Sequence, residues 1–313
     1  MDMKTAELLS RIGQGDPAAL AKAITMVENR KKDYRKLLAG IYPLSNKALK
    51  IGITGAPGSG KSSLIDKLIA RLKVEGLSIA VLAVDPSSPL TGGALLGDRL
   101  RMIQHSNDPN VFIRSIANRG HLGGLSFSTQ EIVDLLMAAG REIILIETVG
   151  VGQSEVDIVN VADVVLMVLN PDSGDEIQIF KAGIIEIADI FVINKADLGG
   201  SEGKINEIRN YFASSSREPM IFPTSVREDT GIAELLDGIE KIRREQKGRI
   251  AEKRAAMKKS YVEKIVCERF LEEMRLDPAL NALTGKAEAA NPFELAETIM
   301  HRIKTGGGHD KKT

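Results

Sequence analysis

Between Leu49 and Pro223 six short apolar runs recur, separated by stretches of helical character, and this alternation limits what the chain can fold into. The runs are Leu49–Thr54, Ile79–Val84, Ile143–Glu147, Val164–Leu169, Ile190–Ile193 and Met220–Pro223. A strand with one wet face alternates apolar and polar side chains, whereas a strand apolar at nearly every position is covered on both faces. Repeated strand–helix units of this kind predict an α/β fold: a mainly parallel sheet with helices on both sides and ligands at the carboxyl ends of the strands.

Two other segments flank these runs. Residues 1–46 read as a helical extension. Asp16 can cap free N–H groups, Pro17 suits a first helical turn, and Ala19, Leu20, Ala23, Ile24 and Val27 recur at helical spacing. Residues 47–245 hold the strand–helix alternation, and residues 246–313 read as a helical arm with a Gly306-Gly307-Gly308 tail. A long charged helix is expected from near Ile239, with Lys241, Arg243, Arg244, Lys247, Arg249, Lys253, Arg254, Lys258 and Lys259 as a solvated face. Beyond it, Tyr261, Val262, Ile265, Val266, Phe270, Leu271 and Met274 form an apolar stripe. Such a stripe must be buried, either in a homodimer contact or against the chain's own domain.

The chemistry concentrates at the predicted strand ends. Gly55-Ala56-Pro57-Gly58-Ser59-Gly60-Lys61-Ser62 matches G-x-x-x-x-G-K-S without a gap, between a strand and a helix that begins around Ser62-Ser63. In such a loop, glycines let backbone N–H groups close on phosphate oxygens, the helix adds its positive end, Lys61 reaches the β- and γ-phosphates, and the Ser62 hydroxyl binds Mg²⁺. Asn194-Lys195-Ala196-Asp197 directly follows Ile190–Ile193. Guanine presents N1–H beside its exocyclic amine, so Asp197 can accept from both, and adenine has no such donor pair. Asn194 can hold the loop while the Lys195 stem covers the ring. Ser225 and Val226, after the last run, suit a backbone contact to the guanine carbonyl.

Acidic residues close the set. Asp85 and Glu147 end two runs, and Asp98 lies in a glycine-rich stretch. Carboxylates there can order Mg²⁺ or orient an attacking water, which makes Lys61, Asp85, Asp98 and Glu147 the candidate catalytic residues and Ser62, Asp85, Asp98 and Glu147 the candidate metal set. Gly150, in Glu147-Thr148-Val149-Gly150, can give its N–H to the γ-phosphate. Gln153 is a candidate for positioning water, although its spacing from Gly150 is unlike that of the usual catalytic glutamine. No arginine is placed as a finger, so slow basal turnover is expected.

The chain resembles the cobalamin-enzyme chaperone GTPases called MeaB, or ArgK. The resemblance rests on Lys22-Ala23-Ile24-Thr25-Met26-Val27-Glu28, the phosphate loop, Val84-Asp85-Pro86-Ser87-Ser88, Thr91-Gly92-Gly93, Gly97-Asp98-Arg99, Glu147 through Glu155, Gly174-Asp175-Glu176-Ile177-Gln178 and Asn194-Lys195-Ala196-Asp197. It implies a homodimeric, Mg²⁺-dependent GTPase that hydrolyses GTP to GDP and phosphate. Its client would be methylmalonyl-CoA mutase or a related acyl-CoA mutase, whose adenosylcobalamin loading and repair it gates. It also implies that residues 170–181 form a loop communicating with the mutase. Pro171-Asp172-Ser173 and Ile179-Phe180 depart from the residues common there.

Composition narrows the alternatives. Lys+Arg and Asp+Glu both total 42, so no overall positive field draws the chain to nucleic acid or membrane. One cysteine, Cys267, cannot form an internal disulfide; with no signal-like N-terminus or long apolar run, a cytoplasmic protein is expected. A nickel-type metal-insertion GTPase would need grouped thiols or imidazoles, and here His105, His121, His301 and His309 are scattered. A kinase linked to amino-acid transport would need a phosphoryl acceptor site, and an adaptor would bind GTP without turnover.

Overall fold

The computed structural model describes residues 3–45, 48–86, 102–105, 107–118, 127–148, 157–171, 184–215, 217–284 and 291–304. Elements are numbered in chain order among these residues. The chain divides into two compact units, residues 1–251 and 252–313.

The first unit begins with helices α1 (Met3–Gly13), α2 (Pro17–Glu28) and α3 (Tyr34–Ile41). The Asp16 carboxylate accepts from the N–H groups of Ala18 at 2.8 Å and Ala19 at 3.2 Å, satisfying donors that the first helical turn cannot bond internally. The predicted face of Ala19, Leu20, Ala23, Ile24 and Val27 is fully buried. Each large aliphatic side chain so covered contributes about 1.5–3 kcal/mol.

Seven strands form the sheet: β1 (Leu49–Thr54), β2 (Ile79–Pro86), β3 (Val111–Asn118), β4 (Ile143–Thr148), β5 (Val164–Leu169), β6 (Ile190–Ile193) and β7 (Met220–Pro223). Every pairing is parallel and the spatial order is β3-β2-β4-β1-β5-β6-β7. Strand β1 is therefore central, with β4 and β5 on either side. The chain leaves β1 towards β2 and later returns beyond β5, so the crevice at its carboxyl end is the topological switch point of the sheet.

The two faces are covered as the unbroken apolar runs require. On one side α1–α3 and α5 (Phe127–Ala138) pack over Ala80, Leu82, Val84, Ile144 and Ile146. On the other, α4 (Lys61–Val74) and α8 (Ile232–Glu245) cover Ile51, Ile53, Val81, Leu145 and Val192. A further cluster joins Phe191 and Ile193 to Phe212 of α7 (Ser201–Phe212), with the two phenyl centroids 5.8 Å apart. The short α6 (Ile184–Ile187) leads into β6.

Six strands were legible as apolar runs; β3 was not. Arg114 and Ser115 interrupt its sequence, and its position at the sheet edge relaxes the demand for apolar side chains. The expected helix from near Ile239 is also corrected. Helix α8 starts at Ile232 and places Ile232, Leu235, Ile239 and Ile242 in the core; the chain breaks at Gln246 and α9 (Lys247–Leu276) follows. The second unit contains most of α9, then α10 (Pro278–Thr284) and α11 (Pro292–Lys304). Val262 and Val266, from the predicted apolar stripe, are 51% and 60% exposed. Among the described residues, no helix is long and apolar enough to cross a membrane.

Candidate nucleotide site

Gly55 to Gly60 connects β1 to α4 at the switch point, and two of its glycines are required by close approach. A Cβ at Gly55 (φ 140°) would lie 2.1 Å from the Val168 carbonyl oxygen of β5. A Cβ at Gly60 (φ 92°) would lie 2.2 Å from the Asn194 amide nitrogen. The loop is thus pressed against its neighbours, and only glycine permits both the left-handed backbone and the contact.

Helix α4 opens at Lys61, so the N–H groups of Lys61, Ser62 and Ser63 belong to the first turn and lie at the end of the loop. They and the helix dipole make the loop a site for an anion. The Lys61 ammonium lies across the loop, donating to the carbonyls of Gly55 at 2.6 Å and Ala56 at 3.1 Å. Ser59 is buried, and its hydroxyl oxygen has no hydrogen-bond partner among the described residues. A buried polar atom of this kind usually marks the place of a water or ligand.

Strand register supplies the acid. Ile53 of β1 pairs with Glu147 of β4, which brings that carboxylate beside the start of α4. The Ser62 hydroxyl donates to Glu147 Oε1 at 2.7 Å, both side chains being buried. Below them the hydroxyls of Thr148 and Thr54 are 3.1 Å apart. A hydroxyl and a carboxylate held together next to an anion-binding loop are hard oxygen donors, the chemistry that Mg²⁺ requires.

The loop after β6 closes the other side. The Asn194 side-chain amide donates to the Ser59 carbonyl at 2.8 Å, and the Lys195 ammonium donates to the Gly58 carbonyl at 2.8 Å. Lys195 has a left-handed backbone (φ 60°), which turns its side chain back towards the phosphate loop. The Ser225 hydroxyl donates to Asp197 Oδ1 at 2.6 Å, while the Thr224 hydroxyl donates to Asn194 Oδ1 at 3.3 Å. Val226, half-buried, packs beside the α4–α8 core.

The structure therefore gathers Gly55, Gly58, Ser59, Gly60, Lys61, Ser62, Glu147, Asn194, Lys195, Asp197 and Ser225 at the ends of β1, β4, β6 and β7. Pro57 is part of the same loop. Asp85 is the penultimate residue of β2, paired in register with Ala117; its side chain lies outside the described part. Asp98, Gly150, Gln153 and residues 172–183 lie outside the described residues altogether. Sequence reasoning missed the two hydroxyls of Thr224 and Ser225 as supports for Asn194 and Asp197. It also missed Asn170, at the end of β5, whose amide donates to the Gly58 carbonyl at 3.3 Å. Position was the available signal for Asn170, because it ends a strand as Glu147 and Asn194 do.

Known proteins match this arrangement along most of the chain. Residues 20–279 fit the family described as methylmalonyl Co-A mutase-associated GTPase MeaB. A protein of Pyrococcus horikoshii named as a GTPase is 47% identical, over 95% of this chain and 98% of that one. The mouse methylmalonic aciduria type A homolog, a mitochondrial protein, is 35% identical over 95% of this chain and 79% of its own length. A solved structure described as an LAO/AO transport system kinase superposes with a TM-score of 0.67, at 27% identity, covering 97% of this chain and 99% of that one. With a phosphate loop and a guanine-type loop locked together at the switch point of a parallel sheet, the chain belongs to the MeaB family of P-loop GTPases.

Proposed function

We propose that this GTPase couples Mg²⁺-dependent hydrolysis of GTP to the loading and repair of adenosylcobalamin in an acyl-CoA mutase, with methylmalonyl-CoA mutase as the first candidate client. The observation that carries the chemistry is the buried Ser62–Glu147 hydrogen bond beside Lys61. The family match over residues 20–279 supports the choice of client.

In this reading the N–H groups of the loop from Gly55 to Gly60 and of Lys61, Ser62 and Ser63 cradle the phosphates. Lys61 exchanges its two carbonyl partners for β- and γ-phosphate oxygens, so that little rearrangement is needed on binding. Ser62 and Glu147, with Asp85 and Asp98, would hold Mg²⁺. When bound, the metal neutralises charge on the transferring phosphoryl group. The acidic residues also orient water for in-line attack, and Gly150 senses the γ-phosphate. Asp197, held by Ser225, accepts from both guanine donors, with Asn194 and Lys195 bracing the base loop against the phosphate loop and Val226 on its flank.

The chain works as a homodimer in the cytoplasm in this proposal, and residues 170–181 carry the nucleotide state to the mutase. Purified protein should show slow Mg²⁺-dependent phosphate release from GTP and little from ATP. Adding the mutase should raise the rate. Lys61→Ala should lower hydrolysis by about 10²-fold or more, the scale of losing a charge stabiliser in the transition state. GTP-selective turnover indifferent to the mutase would reject the client while leaving the hydrolase intact. Phosphoryl transfer to a protein acceptor instead of water would favour the transport-kinase description carried by the solved relative.

A further inference from the structure

The 22–28 segment of α2 takes no part in the nucleotide site, yet it borders an open cleft of about 740 Å³ in the same unit. The cleft has the volume of a small-molecule site. Lys22, Lys31, Lys32 and Arg114 line it, with Ala21 and Met26 contributing apolar surface.

These cations are poorly compensated. Lys22, Lys31 and Lys32 are exposed and have no carboxylate partner among the described residues. Along the helix, the positions three and four residues from Lys22 are Ala18, Ala19, Thr25 and Met26, none of them acidic. One carboxylate faces Arg114: its Nη2 donates to Glu28 Oε2 at 2.5 Å and to the Thr25 hydroxyl at 3.3 Å. Arg114 Nε is buried with no acceptor among the described residues.

The backbone that carries the lysine pair has a defined turn. Arg30 (φ 47°) and Asp33 (φ 68°), both non-glycine residues in left-handed conformation, bracket Lys31-Lys32. Arg30 is fixed by the Glu131 carboxylate and by the Tyr34 ring, 4.9 Å from its guanidinium carbon. Asp33 pairs with the exposed Lys36 at 2.7 Å. A turn that needed only to reverse the chain could use glycine at both positions. Uncommon backbone geometry that the surroundings over-determine gathers at ligand clamps.

The geometry points to a second anion site here, for a phosphorylated small molecule. Its phosphate sits among Lys22, Lys31, Lys32 and Arg114, and its organic part lies on Met26 and Ala21. A flat acidic protein face would meet only the lysine tips and leave the cleft unfilled. The site is separate from the phosphate loop, so both can be filled at once.

The test is calorimetric titration of the full chain, saturated with Mg²⁺ and GDP so that the phosphate loop is occupied, at physiological salt. ADP and pyrophosphate are the probes, and GDP retention is monitored. Saturable binding of one ADP or pyrophosphate per chain is expected, with ADP the tighter if the apolar floor is used. The double variant Lys31→Gln, Lys32→Gln should weaken it by at least about tenfold, the scale of removing charge-assisted hydrogen bonds. GTP hydrolysis and thermal midpoint should stay unchanged in that variant. Lys241→Gln, an exposed cation elsewhere, should bind as the parent does. The inference fails if neither probe saturates, if Lys241→Gln weakens binding equally, or if a polyglutamate peptide occupies the site while both phosphate probes do not.

Discussion

Asp197 shows how a single side chain sets the nucleotide preference proposed here. Its carboxylate is oriented by Ser225 at 2.6 Å, which leaves acceptor capacity for two adjacent donors. Asp197→Asn replaces an acceptor edge with one that also donates. GTP affinity should fall by about two to four orders of magnitude, because a ligand donor then faces a donor. XTP, which carries a carbonyl where guanine has its amine, should gain affinity, and competition between the two nucleotides measures both changes. Ser225→Ala should be milder, about 3- to 10-fold weaker GDP binding, the effect of losing one supporting hydrogen bond.

At the scale of elements, legibility followed chemistry. Runs such as Val164–Leu169 announced themselves because burial on both sheet faces leaves no room for polar side chains. The α2 start at Asp16-Pro17 was legible because a cap is a local requirement, and Asp16→Ala should lower the midpoint of urea unfolding. Strand β3 escaped because an edge strand tolerates Arg114 and Ser115, and the α8 start at Ile232 escaped because the dense charges from Lys241 onward drew the helix boundary towards Ile239. The Ser62–Glu147 pair was anticipated as two separate residues. Their hydrogen bond depends on the Ile53–Glu147 register, which is set by tertiary pairing across 94 residues of sequence and leaves no local trace.

At the scale of the whole molecule, one buried carboxyl, Asp134, should shape the response to pH. Asp163, fully buried, accepts from the Lys50 backbone N–H at 3.0 Å and lies 3.4 Å from its ammonium. Nearby, burial pushes Asp134 up to about 6, against the opposing pull of the Gln130 hydrogen bond and the Lys50 charge. A carboxyl raised from its ordinary 3.8 favours folding most when protonated in both states. That contribution is fully present below 3.8 and is lost as pH rises through about 6. Asp134→Asn should therefore raise stability at pH 8 relative to the parent by about 1–3 kcal/mol. The gain should shrink towards pH 4, and urea unfolding of both proteins across that range measures the difference.

The sheet order has a consequence for how the protein is made. Strand β1 emerges from the ribosome before its two neighbours, β4 and β5, and the groups bracing its loop include Asn194 and Lys195. Ser225, which steadies Asp197, comes later still. At ordinary rates of synthesis, roughly 10 to 35 s separate translation of β1 from that of Ser225. Throughout that interval a nascent chain carries the whole phosphate-loop sequence without the walls that shape it. Guanine nucleotide can then act as a late folding ligand, rewarding only chains translated beyond Ser225, and stalled fragments ending before β6 should be unable to retain it.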